Sequence, residues 1–252
     1  MPLKLMYITN SEDVAHIAEE AGVDRIFVDM EYIGKTDRQG GMDTVQSRHT
    51  ADDVRRLAQC LNKSELFVRV NPIHEKTDKY SSSKEEIDEV IEAGADLLML
   101  PYFKTAEEVQ TFVKYVDGRA KTVLLVETPE AAAIAENLVK IPGIDEMFIG
   151  LNDLSLGYGK NFMFELLLDG TVEELCLKFR KGGIPYGFGG IASLGKGMLP
   201  SEYVIKEHYR LGSTCAILSR SFCRTDQVTD LKEIQKIFET ELPKIRQLEE
   251  EC

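Results

Sequence analysis

Two acidic side chains stand where apolar segments of the sequence end. Glu127 follows the apolar residues 123–126, and Asp153 comes soon after the apolar residues 147–151. Runs of this length beside glycine or proline are typical of buried parallel strands. A lone carboxylate at the end of such a strand is costly to bury unless it meets a cation. Because the two strands are consecutive, Glu127 and Asp153 predict a divalent metal held by oxygen ligands.

The elements that must position these residues form a regular alternation of strand and helix. Eight strand-like apolar segments are separated by stretches with helical spacing, and no Pro/Gly/Ser-rich linker divides the chain. Eight such units predict an α/β fold, a single (β/α)8 TIM barrel that forms one domain over residues 1–252. The predicted strands are residues 3–9, 25–31, 66–71, 96–102, 121–128, 146–151, 185–191 and 214–219. The predicted helices between them include residues 129–140, 164–180 and 201–211.

A doubly wound open sheet is the alternative arrangement of the same units. A dinucleotide-binding sheet of that kind carries a glycine-rich turn after its first strand, whereas residues 8–11 contain no glycine. The closed barrel is therefore favoured. The last helix, residues 231–251, has an apolar stripe that suits packing on its own barrel or on a neighbouring subunit equally well.

The overall composition argues against nucleic-acid-binding, membrane-spanning and secreted proteins. Apolar residues make up 43% of the chain, enough for a sizeable core, and the net charge of −13 argues against nucleic-acid or anionic-membrane partners. No apolar stretch approaches the roughly 20 residues of a membrane span, and the first residues lack a signal peptide's apolar region. The five cysteines include no Cys-x-x-Cys pair, so we expect reduced thiols and a cytoplasmic location.

Charged residues gather at the predicted carboxyl ends of the strands, where the active site of a TIM barrel lies. Asp29 and Glu31 end the second strand, and Arg69 stands near the end of the third. Together with Glu127 and Asp153 these acids would repel one another without a cation. An ion of the size of Mg²⁺ fits, since it prefers carboxylate oxygens and retains water or substrate oxygens as further ligands.

Structural roles remain open for two of these residues. Asp153 could cap the helix that follows it, whereas Thr128 is a better cap than Glu127 for the helix that begins at Pro129. Arg69 could pair with a neighbouring carboxylate as a structural residue. Alternatively, its guanidinium could hold a substrate carboxylate through two parallel hydrogen bonds.

Five short motifs occur in barrel order. They are AGVD leading into VDME at 21–31, VRVNP at 68–72, AGAD leading into LP at 93–101, ETPEA at 127–131, and PGIDEMFIG running on to NDLS at 142–155. In this order and at this spacing they resemble the HpcH/HpaI aldolase and citrate lyase β-subunit family. The resemblance extends from residue 18 to about residue 222.

The resemblance implies a TIM barrel that assembles into homotrimers or homohexamers. It implies Mg²⁺ or Mn²⁺ on Glu127 and Asp153, and a pyruvate-like carboxylate substrate held by Arg69. The residues expected to bind substrate with Arg69 are Gly150, Leu151 and Asn152. The residues expected to take part in catalysis with Arg69 are Asp29, Glu31, Tyr32 and, from a neighbouring subunit, Glu92.

The implied chemistry is reversible carbon–carbon cleavage of a 2-oxo acid through a metal-stabilised enolate. Two alternatives remain: cleavage of an acyl thioester, as in citrate lyase, and a non-catalytic binding protein on a degenerate aldolase barrel. The chain departs from the aldolases in lacking a Gly/Arg-rich loop before the fifth strand. It also has Tyr32 where many of them have a catalytic histidine. By the barrel rule we expect two loop histidines, His49 and His74, on the active-site side, either as a replacement base or as exposed loop residues.

Overall fold

The computed structural model describes residues 1–34 and 47–252. Eight parallel strands hydrogen-bond in sequence order, and β8 pairs with β1 to close the sheet. The predicted (β/α)8 barrel is therefore confirmed. The strands are β1 (Lys4–Ile8), β2 (Arg25–Asp29), β3 (Glu65–Arg69), β4 (Leu97–Leu100), β5 (Lys121–Val126), β6 (Glu146–Ile149), β7 (Tyr186–Ile191) and β8 (Cys215–Leu218).

Helices follow the strands and cover the outside of the barrel. Those within the described residues are α1 (Glu12–Glu20), α2 (Ala51–Cys60), α3 (Ser83–Glu92), α4 (Ala106–Val116), α5 (Pro129–Ala133), α6 (Ala135–Leu138), α7 (Leu151–Gly157), α8 (Glu165–Leu168), α9 (Thr171–Lys181), α10 (Ser201–Leu211) and α11 (Leu231–Glu250). In the described ranges no helix combines the length and the apolar character that crossing a bilayer requires.

The strands form because apolar side chains fill both faces of the sheet. Inside the barrel Phe27 and Phe67 stack with their ring centres 4.7 Å apart, and Met99, Val123 and Phe148 pack in the same cluster. A larger cluster fills the layer between the strands and the helices. Burial on both faces is what a parallel sheet requires.

Helix starts are fixed by side chains that bind orphan backbone N–H groups. Thr50, Ser82 and Thr105 each form a reciprocal capping box at the start of α2, α3 and α4. The Thr128 hydroxyl accepts a hydrogen bond from the N–H of Ala131 at 3.1 Å, as predicted for the helix that begins at Pro129. These caps fix where each of the four helices begins.

A buried ion pair closes the amino-terminal end of the barrel. The Arg25 guanidinium donates to both oxygens of Glu146, at 2.7 and 3.0 Å, and to Glu65 at 3.0 Å. The Cys215 thiol donates to Glu146 at 3.2 Å. Arg25 is 1% exposed, so the polar cluster fills this end of the barrel and leaves the opposite end for chemistry.

The final helix packs against its own barrel. Phe238 contacts Tyr7 of β1 edge to face at 4.9 Å. At the other end of α11, the N–H of Leu3 donates to Glu249 at 2.9 Å, and Arg246 donates to the carbonyl of Leu3 at 2.7 Å.

Two predicted helices differ from those observed. The helix expected over residues 129–140 is divided into α5 and α6 at Ile134. The helix expected over 164–180 is divided into α8 and α9, because Gly170 has φ of 87° and a helix cannot continue through a left-handed residue. A further short helix, α7, begins directly after β6.

Candidate active site

Two adjoining cavities open at the carboxyl end of the barrel. The first cavity has a volume of about 230 Å³, and its polar side chains include Arg69, Glu127, Asn152 and Asp153. Gly150 and Leu151 also line it. The structure therefore brings both predicted metal ligands and every predicted substrate-binding residue to one space.

The Arg69 guanidinium is fixed by the two acids of the second strand. Its Nε and Nη2 atoms donate to the two oxygens of Asp29 at 2.8 Å each, and its Nη1 atom lies 3.4 Å from Glu31 Oε2. Burial alone would lower the pKa of Arg69, but the nearby carboxylates of Asp29 and Glu31 raise it above its usual value. The structural pairing considered for Arg69 is present, and the same side chain lines the first cavity.

The backbone that follows β4 orients the side chain of Glu127. Its Oε1 atom accepts a hydrogen bond from the backbone N–H of Tyr102 at 3.0 Å. Tyr102 has φ of 48°, a conformation that is rare for residues other than glycine, so the fold holds strain at the residue that orients this carboxylate. No side-chain pattern in the sequence indicates this backbone contact.

Gly150 provides the space that the Glu127 carboxylate occupies. A Cβ atom added at Gly150 would lie 2.7 Å from Glu127 Cβ and 2.9 Å from Glu127 Oε2. Both distances are shorter than van der Waals contact, so any other residue would displace the carboxylate. Glycine at this position therefore serves the geometry of Glu127.

Asp153 lies in the first turn of α7 and does not cap that helix. The N-cap residue is Gly150, which makes no side-chain hydrogen bond, so the helix-cap alternative for Asp153 is excluded. Asp153 lines the first cavity and accepts a weak hydrogen bond from the Asn152 amide at 3.4 Å. Leu151 and Asn152 lie in the first turn of α7. Backbone N–H groups in the first turn of a helix have no acceptor within the helix.

The charge at this end of the barrel fits a divalent cation. Asp29, Glu31, Glu127 and Asp153 are almost completely buried, at 2%, 1%, 4% and 8% exposed, and Arg69 pairs with the first two. A buried carboxylate is costly unless it is paired or binds a cation. Glu127 and Asp153 both line the first cavity, so their carboxylates are the oxygen donors placed to meet an ion there.

Tyr32 lies outside both cavities as they are defined by the described residues. Its backbone N–H donates to Asn71 at 3.0 Å, and its ring lies 5.4 Å from the ring of Tyr80. Burial and the nearby carboxylate of Glu86 raise the pKa of Tyr32. The predicted catalytic role of Tyr32 therefore has no support from its position.

Glu92 is exposed at the carboxyl-terminal end of α3. Because α3 runs back to the start of β4, Glu92 lies at the opposite end of the barrel from the two cavities of its own chain. A contribution to the site of a neighbouring subunit stays a prediction.

The second cavity, of about 330 Å³, adjoins the first. The two share Ile8, Arg69, Ile217 and Ser219 in their walls. His49 also lines the second cavity, and its Nδ1 atom accepts a hydrogen bond from the backbone N–H of Asp29 at 3.0 Å.

His74, the other loop histidine on this side, is held within its own loop. Its ring nitrogens lie 2.7 Å from the carbonyl of Pro72 and 2.8 Å from that of Ser81. Its two ring nitrogens are therefore used to fix the loop, and His49 is the loop histidine that reaches a cavity wall.

A separate group that could hold an ion occurs on α1 among the described residues. Ligand atoms of His16, Glu19 and Glu20 lie within 4.8 Å of one another. Glu19 Oε1 accepts hydrogen bonds from the backbone N–H groups of residues 62–64, and Glu20 pairs with Lys63 at 2.8 Å. These contacts join α1 to the loop before β3, away from the cavities.

The sequence matches one protein family over most of its length. The profile of HpcH/HpaI aldolase/citrate lyase matches residues 4–167. The chain belongs to the HpcH/HpaI aldolase/citrate lyase family. The matched segment of this HpcH/HpaI family member runs from β1 to α8 and contains Asp29, Arg69, Glu127 and Asp153. The predicted relationship to a family of aldolases and lyases is thus confirmed.

Solved structures share the barrel at low sequence identity. The HpcH/HpaI aldolase from Desulfitobacterium hafniense DCB-2 is 15% identical with a TM-score of 0.66, and 93% of each chain is covered. An HpcH/HpaI aldolase/citrate lyase family protein from Burkholderia cenocepacia J2315 is 16% identical with a TM-score of 0.68, covering 93% of this chain and 95% of that one. The citrate synthase SbnG is 14% identical with a TM-score of 0.64, covering 93% and 94%. No curated protein matches the chain by sequence.

Proposed function

We propose that this protein is a metal-dependent carbon–carbon lyase of the aldolase type that acts on a 2-oxo acid such as pyruvate through its enolate. The observation that supports this most is the first cavity, where Glu127 and Asp153 share one space with Arg69 and the first residues of α7. Two carboxylates suit a divalent cation. An arginine and backbone N–H groups suit the carboxylate and carbonyl oxygens of such an acid.

Glu127 and Asp153 are the residues that would hold Mg²⁺ or Mn²⁺. When bound, the ion supplies Lewis-acid polarisation of the oxygens of the 2-oxo acid. The Tyr102 N–H and the missing side chain at Gly150 fix the Glu127 carboxylate before any ligand arrives. A ligand oxygen fixed in this way loses little conformational entropy on binding.

Arg69 holds the 2-oxo acid and stabilises the charge that develops on its oxygen. Its two hydrogen bonds to Asp29 fix the plane of the guanidinium, and Glu31 lies beside the third nitrogen. The guanidinium remains charged throughout the neutral pH range. A fixed positive charge at a developing oxyanion typically lowers the barrier by about 3 kcal/mol.

Decarboxylation of oxaloacetate tests this proposal, because loss of carbon dioxide yields the enolate of pyruvate without an aldehyde partner. We expect the purified protein with Mg²⁺ or Mn²⁺ to release carbon dioxide faster than the metal alone. Glu127→Gln and Asp153→Asn should abolish the gain, whereas Glu136→Gln, which neutralises an exposed acid on α6, should retain it. A rate no higher than that of the metal alone contradicts the proposal, as does full activity in both site variants.

A further inference from the structure

We propose that the outside of the barrel carries a metal site of its own, the α1 site, in which His16, Glu19 and Glu20 bind a Zn²⁺ ion. Ligand atoms of these three residues lie within 4.8 Å of one another. Glu19 contacts the loop that leads into β3, so the α1 site lies towards the amino-terminal end of the barrel, away from the first cavity. The inference therefore does not depend on the proposed function.

Helical spacing brings the three side chains together. His16 and Glu20 are four residues apart in α1, so they lie on one face in adjacent turns, and Glu19 is three residues from His16. His16 and Glu20 are exposed to solvent, whereas Glu19 is 2% exposed. An ion can therefore approach from solvent between the two exposed ligands and meet the buried carboxylate beneath them.

One oxygen of the buried Glu19 carboxylate has no hydrogen-bond partner. Its Oε1 atom accepts hydrogen bonds from the backbone N–H groups of residues 62, 63 and 64, at 2.8, 2.6 and 2.9 Å. The Oε2 atom is shielded from solvent and receives no hydrogen bond from any part of the chain that the structure describes. A buried polar atom without a partner is costly, and a bound cation removes that cost. This orphaned oxygen distinguishes the α1 site from an ordinary acidic surface.

Glu19 is kept in the charged form that a metal ligand requires. Burial alone would raise its pKa, but the backbone N–H groups of residues 62–64 and the nearby side chain of His16 lower it below its usual value. Glu20 pairs with Lys63 at 2.8 Å, and both side chains are more than half exposed. Such a pair contributes little free energy, so an ion can replace the ammonium group beside Glu20.

The donor types of the α1 site favour Zn²⁺ over the ions expected in the first cavity. Imidazole nitrogen with carboxylate oxygen is a common ligand set of Zn²⁺, and three protein ligands leave a fourth position for water. Mg²⁺ prefers oxygen ligands alone, and Mn²⁺ is the weakest binder among the divalent first-row metals. We therefore expect Mn²⁺ to bind in the first cavity and Zn²⁺ to bind at the α1 site as well.

An ion at the α1 site would stabilise the fold. Glu19 would bind the metal through one oxygen and the backbone of residues 62–64 through the other, which joins α1 to the loop before β3. A ligand that binds only the folded state raises its stability as its concentration exceeds Kd. At ten times Kd we expect Zn²⁺ to raise Tm by about 3 °C or more.

Calorimetric titration with Zn²⁺ tests the α1 site in a protein whose first cavity lacks its two proposed ligands. We expect the double variant Glu127→Gln/Asp153→Asn to bind one Zn²⁺ per chain. Adding His16→Ala or Glu20→Gln to it should weaken binding by more than about tenfold and reduce the rise in Tm accordingly. Both residues are exposed, so neither change should unfold the chain.

Two further substitutions in the same background separate a specific site from general charge effects. Glu174→Gln neutralises an exposed acid of α9 that pairs with Lys178 at 2.7 Å, just as Glu20 pairs with Lys63, and it should leave Zn²⁺ affinity unchanged. Lys63→Met removes the ammonium group that competes for Glu20, and it should tighten Zn²⁺ binding by up to about fivefold.

A double variant that binds no Zn²⁺ would overturn the inference, as would Zn²⁺ binding that is unchanged by both His16→Ala and Glu20→Gln. A wild type that binds a single Zn²⁺ and loses it in His16→Ala would support the α1 site while contradicting a metal in the first cavity. The inference and the proposed function can therefore fail separately.

Discussion

Arg69 and Gly150 show how single residues determine the site. Arg69 is held by Asp29 so that its guanidinium faces the first cavity, and Gly150 leaves the volume that the Glu127 carboxylate fills. One provides charge and the other provides space. Both roles depend on geometry that a chemically similar residue does not reproduce.

Arg69→Lys should lose catalysis while the fold is kept. An ammonium group cannot make the two parallel hydrogen bonds to Asp29, so its charge is no longer fixed beside the substrate. We expect kcat for oxaloacetate decarboxylation to fall about 100-fold to 1,000-fold. Circular dichroism and Mn²⁺ titration should remain close to the wild type. An unchanged kcat would remove Arg69 from the mechanism.

Gly150→Ala should weaken metal binding without unfolding the protein. Gly150 has φ of −82°, which alanine adopts readily, but the new Cβ atom would stand 2.9 Å from Glu127 Oε2. We expect a fall in Mn²⁺ affinity of about tenfold or more, equivalent to about 1.4 kcal/mol. As a control, Gly159→Ala introduces strain at φ of 67° in open space and should leave the affinity unchanged. Equal affinities in all three proteins would contradict the role of Gly150.

Residue types at strand ends predicted some of these contacts and not others. Asp29, Arg69, Glu127 and Asp153 could be predicted because acids and arginines that end apolar strands meet at one end of a barrel. His49 could only be suspected, since it lies in a loop without periodicity and its place is set by a backbone hydrogen bond to Asp29.

At the scale of elements, the carboxyl ends of the strands carry the candidate active site, and their amino ends carry the buried ion pair of Arg25 and Glu146. Arg25 and Glu146 stand at the starts of β2 and β6, which are not neighbours in the sheet, and their side chains meet inside the barrel. Arg69 and Glu127 stand at the opposite ends of their strands. The two polar clusters therefore lie at opposite ends of the barrel.

Glu146→Gln should destabilise the barrel and leave the site intact. Arg25 would keep its ion pair with Glu65 but lose the charged carboxylate of Glu146. Breaking a buried ion pair costs about 3 to 5 kcal/mol of unfolding free energy. Urea unfolding measures this loss. Glu207→Gln, which breaks an exposed pair with Arg210, should cost less than about 1 kcal/mol. If Glu146→Gln cost no more than this control, the ion pair would have no structural role.

Strands and helices were predictable from the sequence where the apolar spacing is regular. They were not predictable where one apolar segment passes directly from strand to helix. The strands and the long helices follow from apolar spacing and caps, and α10 (Ser201–Leu211) spans the residues expected. The start of α7 at Leu151 was not predicted, because residues 148–151 continue the apolar character of β6. Its start depends on Gly150 as N-cap, which makes no side-chain hydrogen bond.

At the scale of the whole molecule, folding changes the protonation of a buried histidine, His208. His208 of α10 is fully buried, stacks on Phe188 of β7 at 3.8 Å, and hydrogen-bonds to Ser213 through Nδ1 at 2.8 Å. Burial lowers the pKa of His208 to about 3. The folded protein therefore keeps this ring neutral at pH values where the unfolded chain protonates it.

Stability should consequently fall as the pH falls below 6.5. The unfolded chain takes up a proton at the ordinary histidine pKa of about 6.5, so the contribution of His208 is complete above that value and declines towards pH 3. Between pH 7.5 and 5 we expect the wild type to lose about 2 kcal/mol more unfolding free energy than His208→Phe. Urea titrations at each pH measure this difference. Parallel pH profiles would contradict the assignment.

The most direct test of the account is a calorimetric titration of the protein with Mn²⁺. The account predicts that the wild type binds one ion per chain, that Glu127→Gln and Asp153→Asn each weaken binding by about tenfold or more, and that Glu136→Gln binds like the wild type. A wild type that binds no ion, or binding that is unchanged in both site variants, would contradict it.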